Sequence, residues 1–261
     1  PFLHPIRTAS GTVISRGFPL EPQPGDSTDH PWHRGIWYGH GDINGEDFWR
    51  ELGPEKTSRL IFASGPSYSA SRQKGTLRAS LSLETPRKLL LGSVRQTYTF
   101  SKSGPHPVID AIIEILADRG RPLTVGDTDD GGFGLRLADA FRQDRGAALV
   151  NSEGLRDTEN IWGKSARWVD YSAVIGGRKT GVTVMDHPTN FRHPTTWHAR
   201  GYGLCSANPF ALRSFTSDKT KDGAHTISTG DRLVFRYRVL IHEGDFDARD
   251  IERWYAEFTE P

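Results

Sequence analysis

The sequence predicts an all-β protein: a large antiparallel two-sheet sandwich, of supersandwich size, with one C-terminal helix. Three observations predict it. Apolar residues alternate with polar ones at period two in four long stretches. The chain carries 28 Gly and 16 Pro in 261 residues, which implies many turns. Only one segment shows an apolar stripe at helical spacing. Gly and Pro are dispersed, so they mark turns and not disorder.

Taken in chain order, short strands are expected at 11–16 and 58–64. Leu77, Ala79, Leu81 and Leu83 then share one face, with Arg78, Ser80, Ser82 and Glu84 opposite. Leu90, Val94, Tyr98 and Phe100 repeat the pattern, as do Ile109, Ala111, Ile113, Ile115 and Ala117. Side chains of a strand point alternately to its two faces, so such runs read as half-buried strands. Further short strands are expected at 133–137, 166–174, 179–185 and 202–206. Leu233, Phe235, Tyr237, Val239 and Ile241 form the last, against Arg236 and Arg238. Gly65-Pro66, Gly104-Pro105 and Gly176-Gly177 suit the connections. After Asp247, an N-cap, come Ile251, Trp254, Tyr255 and Phe258 at i, i+3, i+4 and i+7, the terminal helix. No linker divides the chain, so one domain over 1–261 is expected. Residues 17–34 form a Pro-rich loop, and loops this long are usually functional. The acidic stretch 126–132 reads as a turn, because the spaced ligands of a calcium loop are missing.

Composition narrows the function classes. The 33 Lys and Arg nearly cancel 32 Asp and Glu, for a formal charge of +1. No basic stripe is present to hold nucleic acid or anionic lipid. Cys205 is the only cysteine, which excludes an intrachain disulfide and a Cys-rich zinc module. Apolar runs fall short of the roughly 18–20 residues that span a bilayer. A soluble chain, cytoplasmic or periplasmic, is expected, and a leader trimmed before Pro1 would leave the compartment open. No Gly-x-Ser-x-Gly elbow, Walker A loop or dinucleotide fingerprint occurs.

Histidine carries the chemical signal. His30, His33 and His40 fall in one short window, and His187, His193 and His198 in another. Both windows begin Asp-His-Pro, which points to shaped loops where strands end. Three readings compete. Imidazoles at close spacing suit a divalent metal, with His30, His33, His40 and Asp29 as candidate ligands. A pair across a pocket suits acid and base, since imidazole titrates near neutral pH. Buried hydrogen-bonding struts are the third. The catalytic candidates are His33, His40, His198 and His187. Candidates for binding are His30, Asn44, Trp49, Asn190, His193, Trp197, Arg200 and Glu153. Indole faces beside planar polar groups make a good wall for a sugar. Trp37 and Trp49 fit a sheet core equally well. Cys205, in an expected strand, reads as an inert buried thiol.

The segments Phe2-Leu3-His4-Pro5, Asp29-His30-Pro31 with His33-Arg34-Gly35, and Gly39-His40-Gly41 with Asn44-Gly45 and Asp47-Phe48-Trp49 carry a resemblance. So do Asp186-His187-Pro188 with Asn190, Trp197-His198, Arg200 and Asn208-Pro209-Phe210. Together they resemble a bacterial family labelled "methane oxygenase PmoA", over nearly the whole chain. That label would imply a metal-dependent oxygenase. The family's occurrence beside sugar dehydrogenase genes implies work on carbohydrate. The strand pattern is also similar to the supersandwich of galactose mutarotase-like proteins, a likeness of architecture that transfers no catalytic residue. The expectation is a carbohydrate-active enzyme using histidine acid–base chemistry for epimerisation, β-elimination or hydrolysis. Its partner would be a small sugar or glycoside, with neither nucleic acid nor membrane, and no cofactor is certain. A non-catalytic carbohydrate-binding protein is the alternative.

Overall fold

The computed structural model describes residues 1–260. The first strands are β1 (Phe2–Leu3), β2 (Ile36–His40), β3 (Arg59–Phe62) and β4 (Ser67–Ala70). The long strands β5 (Gly75–Glu84), β6 (Leu90–Ser103) and β7 (His106–Leu116) follow, then β8 (Leu123–Val125), β9 (Gly131–Arg136) and β10 (Ala148–Asn151). After the short helix α1 (Thr158–Ile161) come β11 (Trp168–Ile175), β12 (Arg178–Asp186), β13 (Trp197–Arg200) and β14 (Leu204–Ala207). Helix α2 (Leu212–Thr216), β15 (His225–Ile227), β16 (Arg232–Glu243) and helix α3 (Ala248–Thr259) complete the chain.

All strand pairs are antiparallel. One sheet has five strands in the order β1-β2-β9-β14-β13; the other has nine, ordered β10-β11-β12-β16-β7-β6-β5-β3, with β4 also paired to β5. Strands β8 and β15 form a small ribbon. Alternation decides what each face buries. Leu81, Val94, Ile113, Tyr237 and Val184 point inward from the large sheet. Ile36, Tyr38, Phe133, Leu135, Cys205, Trp197 and Ala199 meet them from the small one in a single core. Phe133 stacks on Tyr237 across the gap, with centroids 4.7 Å apart. The architecture is therefore the expected two-sheet antiparallel sandwich.

The terminal helix forms as the stripe predicts. Asp247 accepts from the backbone of Arg249 and Asp250, and Asp250 returns a bond to the Asp247 N–H, a capping box. Ile251, Trp254 and Tyr255 pack on Val108, Trp168, Met185 and Leu240. Those four side chains have the opposite parity to the core residues beside them, so α3 covers the outer face of the large sheet.

Two expectations differ. Residues 11–16 form only isolated bridges, Arg7 with Val13 and Ser15 with Leu137. The His windows are not loops throughout, because His40 ends β2 and His198 lies in β13. Cys205 is buried, as the reading of an inert thiol requires.

Candidate functional site

The site grows from the register of the small sheet. Trp37 opposes Gly134, Gly134 opposes Ser206, and Ser206 opposes His198. These four residues form one row across β2, β9, β14 and β13, on the face turned away from the core. The neighbouring row places Arg136 opposite Leu204 and Leu204 opposite Arg200. Small residues in the middle of the first row leave a trough. A Cβ on Gly134 would lie 2.7 Å from the Trp37 indole, so only glycine lets that ring lean over β9.

The 17–34 loop fills the trough with rings. His33 stacks on Trp37 (5.1 Å between centroids) and on His30 (4.8 Å). His30 in turn stacks on Tyr202 (5.5 Å). Four rings thus run from β2 to the turn between β13 and β14. Trp32 and Trp49 meet His33 edge-on. His30 holds a φ of 44°, a left-handed conformation that a non-glycine side chain rarely adopts and that recurs at functional sites.

Two buried arginines fix the loop. Arg16 Nη1 donates to Asp29 Oδ1 (2.7 Å), and Arg136 Nη2 donates to the same oxygen (2.8 Å). Asp29 Oδ2 accepts from His30 Nδ1 (2.6 Å). Burial alone would raise the Asp29 pKa. The hydrogen bonds from Arg136 and His30 and the two guanidinium charges outweigh it and hold the carboxyl well below its usual range. Asp29 therefore stays ionised and aims the His30 ring.

His198 is oriented from its other side. Its Nδ1 lies 2.7 Å from the Asp129 backbone oxygen. A carbonyl only accepts, so Nδ1 carries the hydrogen and Nε2 keeps its lone pair. That Nε2 is buried and has no partner, as are both ring nitrogens of His33 and the indole N–H groups of Trp32, Trp37 and Trp49. Burial lowers the His198 pKa, against the pull of the Asp129 bond. His33 falls to about 2, through burial first and then the charges of His30, Arg136, Arg16 and His198. Both rings are neutral at pH 7. Asp130 shifts the other way, raised by burial and by Asp129 and partly offset by Arg50. The arrangement offers one neutral acceptor nitrogen, one carboxylate-backed imidazole and aromatic faces, which is the equipment for holding hydroxyls and moving a proton.

Of the expected residues, the structure brings His30, His33, His198, Asp29, Arg200 and Trp49 to this face, and Trp37 with them. Arg200 lies over the Trp162 ring. It does not bring the others. His40 is three positions from Trp37, so its ring points inward, where Nε2 bonds the Gly126 carbonyl (2.8 Å) beside Phe210. Trp197 also faces the core, and its indole donates to the Ala166 carbonyl (2.8 Å). His187 and His193 pack at α3, on the other side of the sandwich. His187 bonds Thr189 and meets Phe258 edge-on. His193 bonds buried Asp186 (2.7 Å), near the Tyr255 hydroxyl. Asn190 is spent on Asp186 and on both backbone groups of Arg236. Asn44 ties Pro122 and Thr124 to its own loop. Glu153 is an exposed turn carboxylate held by Ser152.

The metal set does not fit. Among the described residues no group of three or more His, Cys, Asp or Glu side chains is arranged to hold an ion. His40 turns away from His33, and the oxygens of Asp29 are already taken. Sequence reasoning missed Arg16, Arg136, Tyr202, Asp129 and Asp130. A charged residue inside an apolar strand, such as Arg136, signals a buried carboxylate partner. The acidic stretch read as a turn delivers the Asp129 carbonyl.

The fold and site define an antiparallel β-sandwich with a histidine and tryptophan cluster on the outer face of its smaller sheet. Residues 1–256 match the model of a family of unknown function, DUF6807, and the chain belongs to that family. No protein of curated function matches it. Among solved structures it is similar to the Slr1438 protein of Synechocystis, at 9% identity and a TM-score of 0.34, covering 67% of this chain and 65% of that one. It is also similar to a galactose mutarotase-like protein of Clostridium acetobutylicum, at 10% identity and a TM-score of 0.41, covering 86% and 85%. Among the described residues no helix is long and apolar enough to cross a membrane.

Proposed function

We propose that this protein is a carbohydrate-active enzyme that moves a proton on a sugar or glycoside by histidine acid–base chemistry. One observation carries the reading: His30 and His198, far apart in sequence, reach the same sheet face with Nδ1 of each committed to an oxygen. Each ring is thereby aimed, and no protein group bonds Nε2 of either. His198 Nε2 takes a proton from carbon next to a carbonyl. His30, as an imidazolium whose Nδ1–H is held by ionised Asp29, gives its Nε2 proton to the substrate and ends neutral, while His198 ends protonated. Arg200 binds hydroxyl oxygens, and Trp32 offers a face to the sugar ring. Epimerisation and β-elimination both begin with such a proton abstraction. Hydrolysis usually rests on opposed carboxylates, whereas imidazoles supply the converging groups here.

A carbohydrate-binding protein without turnover is the second reading, and the low basicity of buried His33 and His198 favours it. One experiment separates the two. The protein is incubated in D2O with a panel of aldoses, ketoses, uronic acids and their methyl glycosides, and proton NMR follows deuterium entering next to the carbonyl and any new product. The enzyme reading expects exchange with at least one sugar and a loss of about 100-fold or more in His198→Gln. Saturable binding with no exchange leaves the binding reading. Neither binding nor exchange overturns both.

A further inference from the structure

A cavity opens on the opposite side of the sandwich, on the outer face of the large sheet, between β10, β11, β12 and the turn from β16 into α3. Its volume is about 270 Å³, at the small end of ligand pockets. Asp170, Ser172 and His242 line it, with Val174 and Phe246 as apolar walls and Lys179 and Asp245 at its rim. Asp170 alternates in β11 with Val169 and Tyr171 of the core, so its side chain points outward. Thr183, between Val182 and Val184, and His242, next to Ile241, point the same way.

The floor of this cavity holds a carboxylate without a cation. His242 Nε2 donates to Asp170 Oδ1 (2.9 Å), and Thr183 Oγ1 donates to the same oxygen (2.7 Å). A Cβ on Gly181 would collide with the His242 ring, so glycine lets that ring lean across β12 to reach β11. Asp170 Oδ2 takes no hydrogen bond from the described residues. Only 5% of the Asp170 side chain stays open, and no described Lys or Arg pairs with it. His242 acts as a donor and not as a counter-charge, because its Nδ1 is buried with no acceptor for a second hydrogen. Lys179, at the rim, is paired with Asp245. A carboxylate so far removed from water is costly unless a cation meets it. Water can satisfy the open oxygen but leaves the charge.

We propose that this cavity binds a small primary ammonium compound, with its charged nitrogen at Asp170 Oδ2 and the Ser172 hydroxyl and its carbon chain against Val174 and Phe246. An ammonium group supplies both things the site lacks: hydrogens for the open oxygen and a positive charge for the carboxylate. A neutral hydroxyl compound supplies only the first, and an anion is repelled by Asp170. The small volume admits a short chain. The cavity belongs to the other sheet from the histidine cluster, so the proposal stands whether or not that cluster acts on a sugar.

The test sets ethanolamine hydrochloride at pH 7 against ethylene glycol, a molecule of the same shape without the charge, with ionic strength matched by sodium chloride. Binding is followed by the imidazole nitrogen and amide NMR signals of the isotope-labelled protein. Ethanolamine shifts the His242 ring and the amides of Ser172 and Phe246, leaves His30 and His198 in place, and binds about tenfold or more tighter than the glycol. Asp170→Asn keeps an oxygen for His242 and Thr183 and loses the charge, so ethanolamine then binds no tighter than the glycol. Ser172→Leu, which fills the cavity and keeps the carboxylate, also loses the ethanolamine response, and it serves if the first variant does not fold. Equal affinity of wild type for the two compounds overturns the proposal. So does the absence of a His242 response up to about 100 mM ethanolamine, or undiminished ethanolamine binding in either folded variant.

Discussion

His40 gives a prediction that can be worked through from its surroundings. Its side chain is fully buried in the core, one nitrogen bonds the Gly126 carbonyl, and the other has no partner. Burial lowers its pKa from 6.5 to about 4, against the pull of the Gly126 bond. The unfolded chain therefore takes up this proton first as the pH falls. The stability carried by the neutral ring is complete above about pH 6.5 and drains away between there and about pH 4. Between pH 7.5 and pH 5 the loss from this one group comes to about 2 kcal/mol. His40→Gln removes the titration. At pH 7.5 the variant is less stable by about 1–3 kcal/mol, for disturbing the bond to a buried carbonyl. At pH 5 that deficit shrinks by about 2 kcal/mol, because the wild type has lost what the variant never had. Urea denaturation of both proteins at the two pH values measures it. An equal deficit at both would refute the argument, since it would mean that the folded protein protonates His40 as readily as the unfolded chain does.

Two further perturbations follow from the site. Asp29→Asn leaves the buried guanidinium groups of Arg16 and Arg136 without their shared counter-charge. It should cost about 2–3 kcal/mol in urea denaturation, below the value for a fully buried pair because one side of Asp29 meets solvent; an unchanged midpoint would contradict the role given to Asp29. Gly134→Ala puts a methyl 2.7 Å from the Trp37 indole and must displace the ring stack. A changed near-ultraviolet circular dichroism spectrum, a stability loss of about 1–3 kcal/mol and weakened sugar binding are expected, and wild-type spectra and binding would show that the indole does not rest on β9.

The long strands were legible because one of their faces is buried and the other is not. Leu81 and Leu83 alternate with Ser80 and Glu84, and Val239 and Ile241 with Arg238, as the core and solvent faces of the large sheet demand. Strand β2 carried no such signal. All five of its residues are buried, because the 17–34 loop covers its outer face, and a strand buried on both faces loses its alternation. The clustering of histidines drew attention to both windows, but residue type could not tell which way each ring faces. Trp37 and His40 differ by an odd number of positions in one strand, so one joins the outer cluster and the other the core. In the second window the turn after Asp186 carries His187 and His193 to α3, and only β13 returns His198 to the small sheet. Those turns depend on tertiary contacts such as Asp186 with Thr195 and Asn190, for which spacing along the chain gives no cue.

The most direct test is the imidazole nitrogen NMR spectrum of the isotope-labelled protein, recorded with and without a sugar that binds. In the free protein, His198 should show a protonated Nδ1 and a bare Nε2. On adding the sugar, the His30 and His198 signals should shift while those of His187 and His193 stay in place. A His198 ring protonated at Nε2, or a response confined to His187 and His193, would contradict the account.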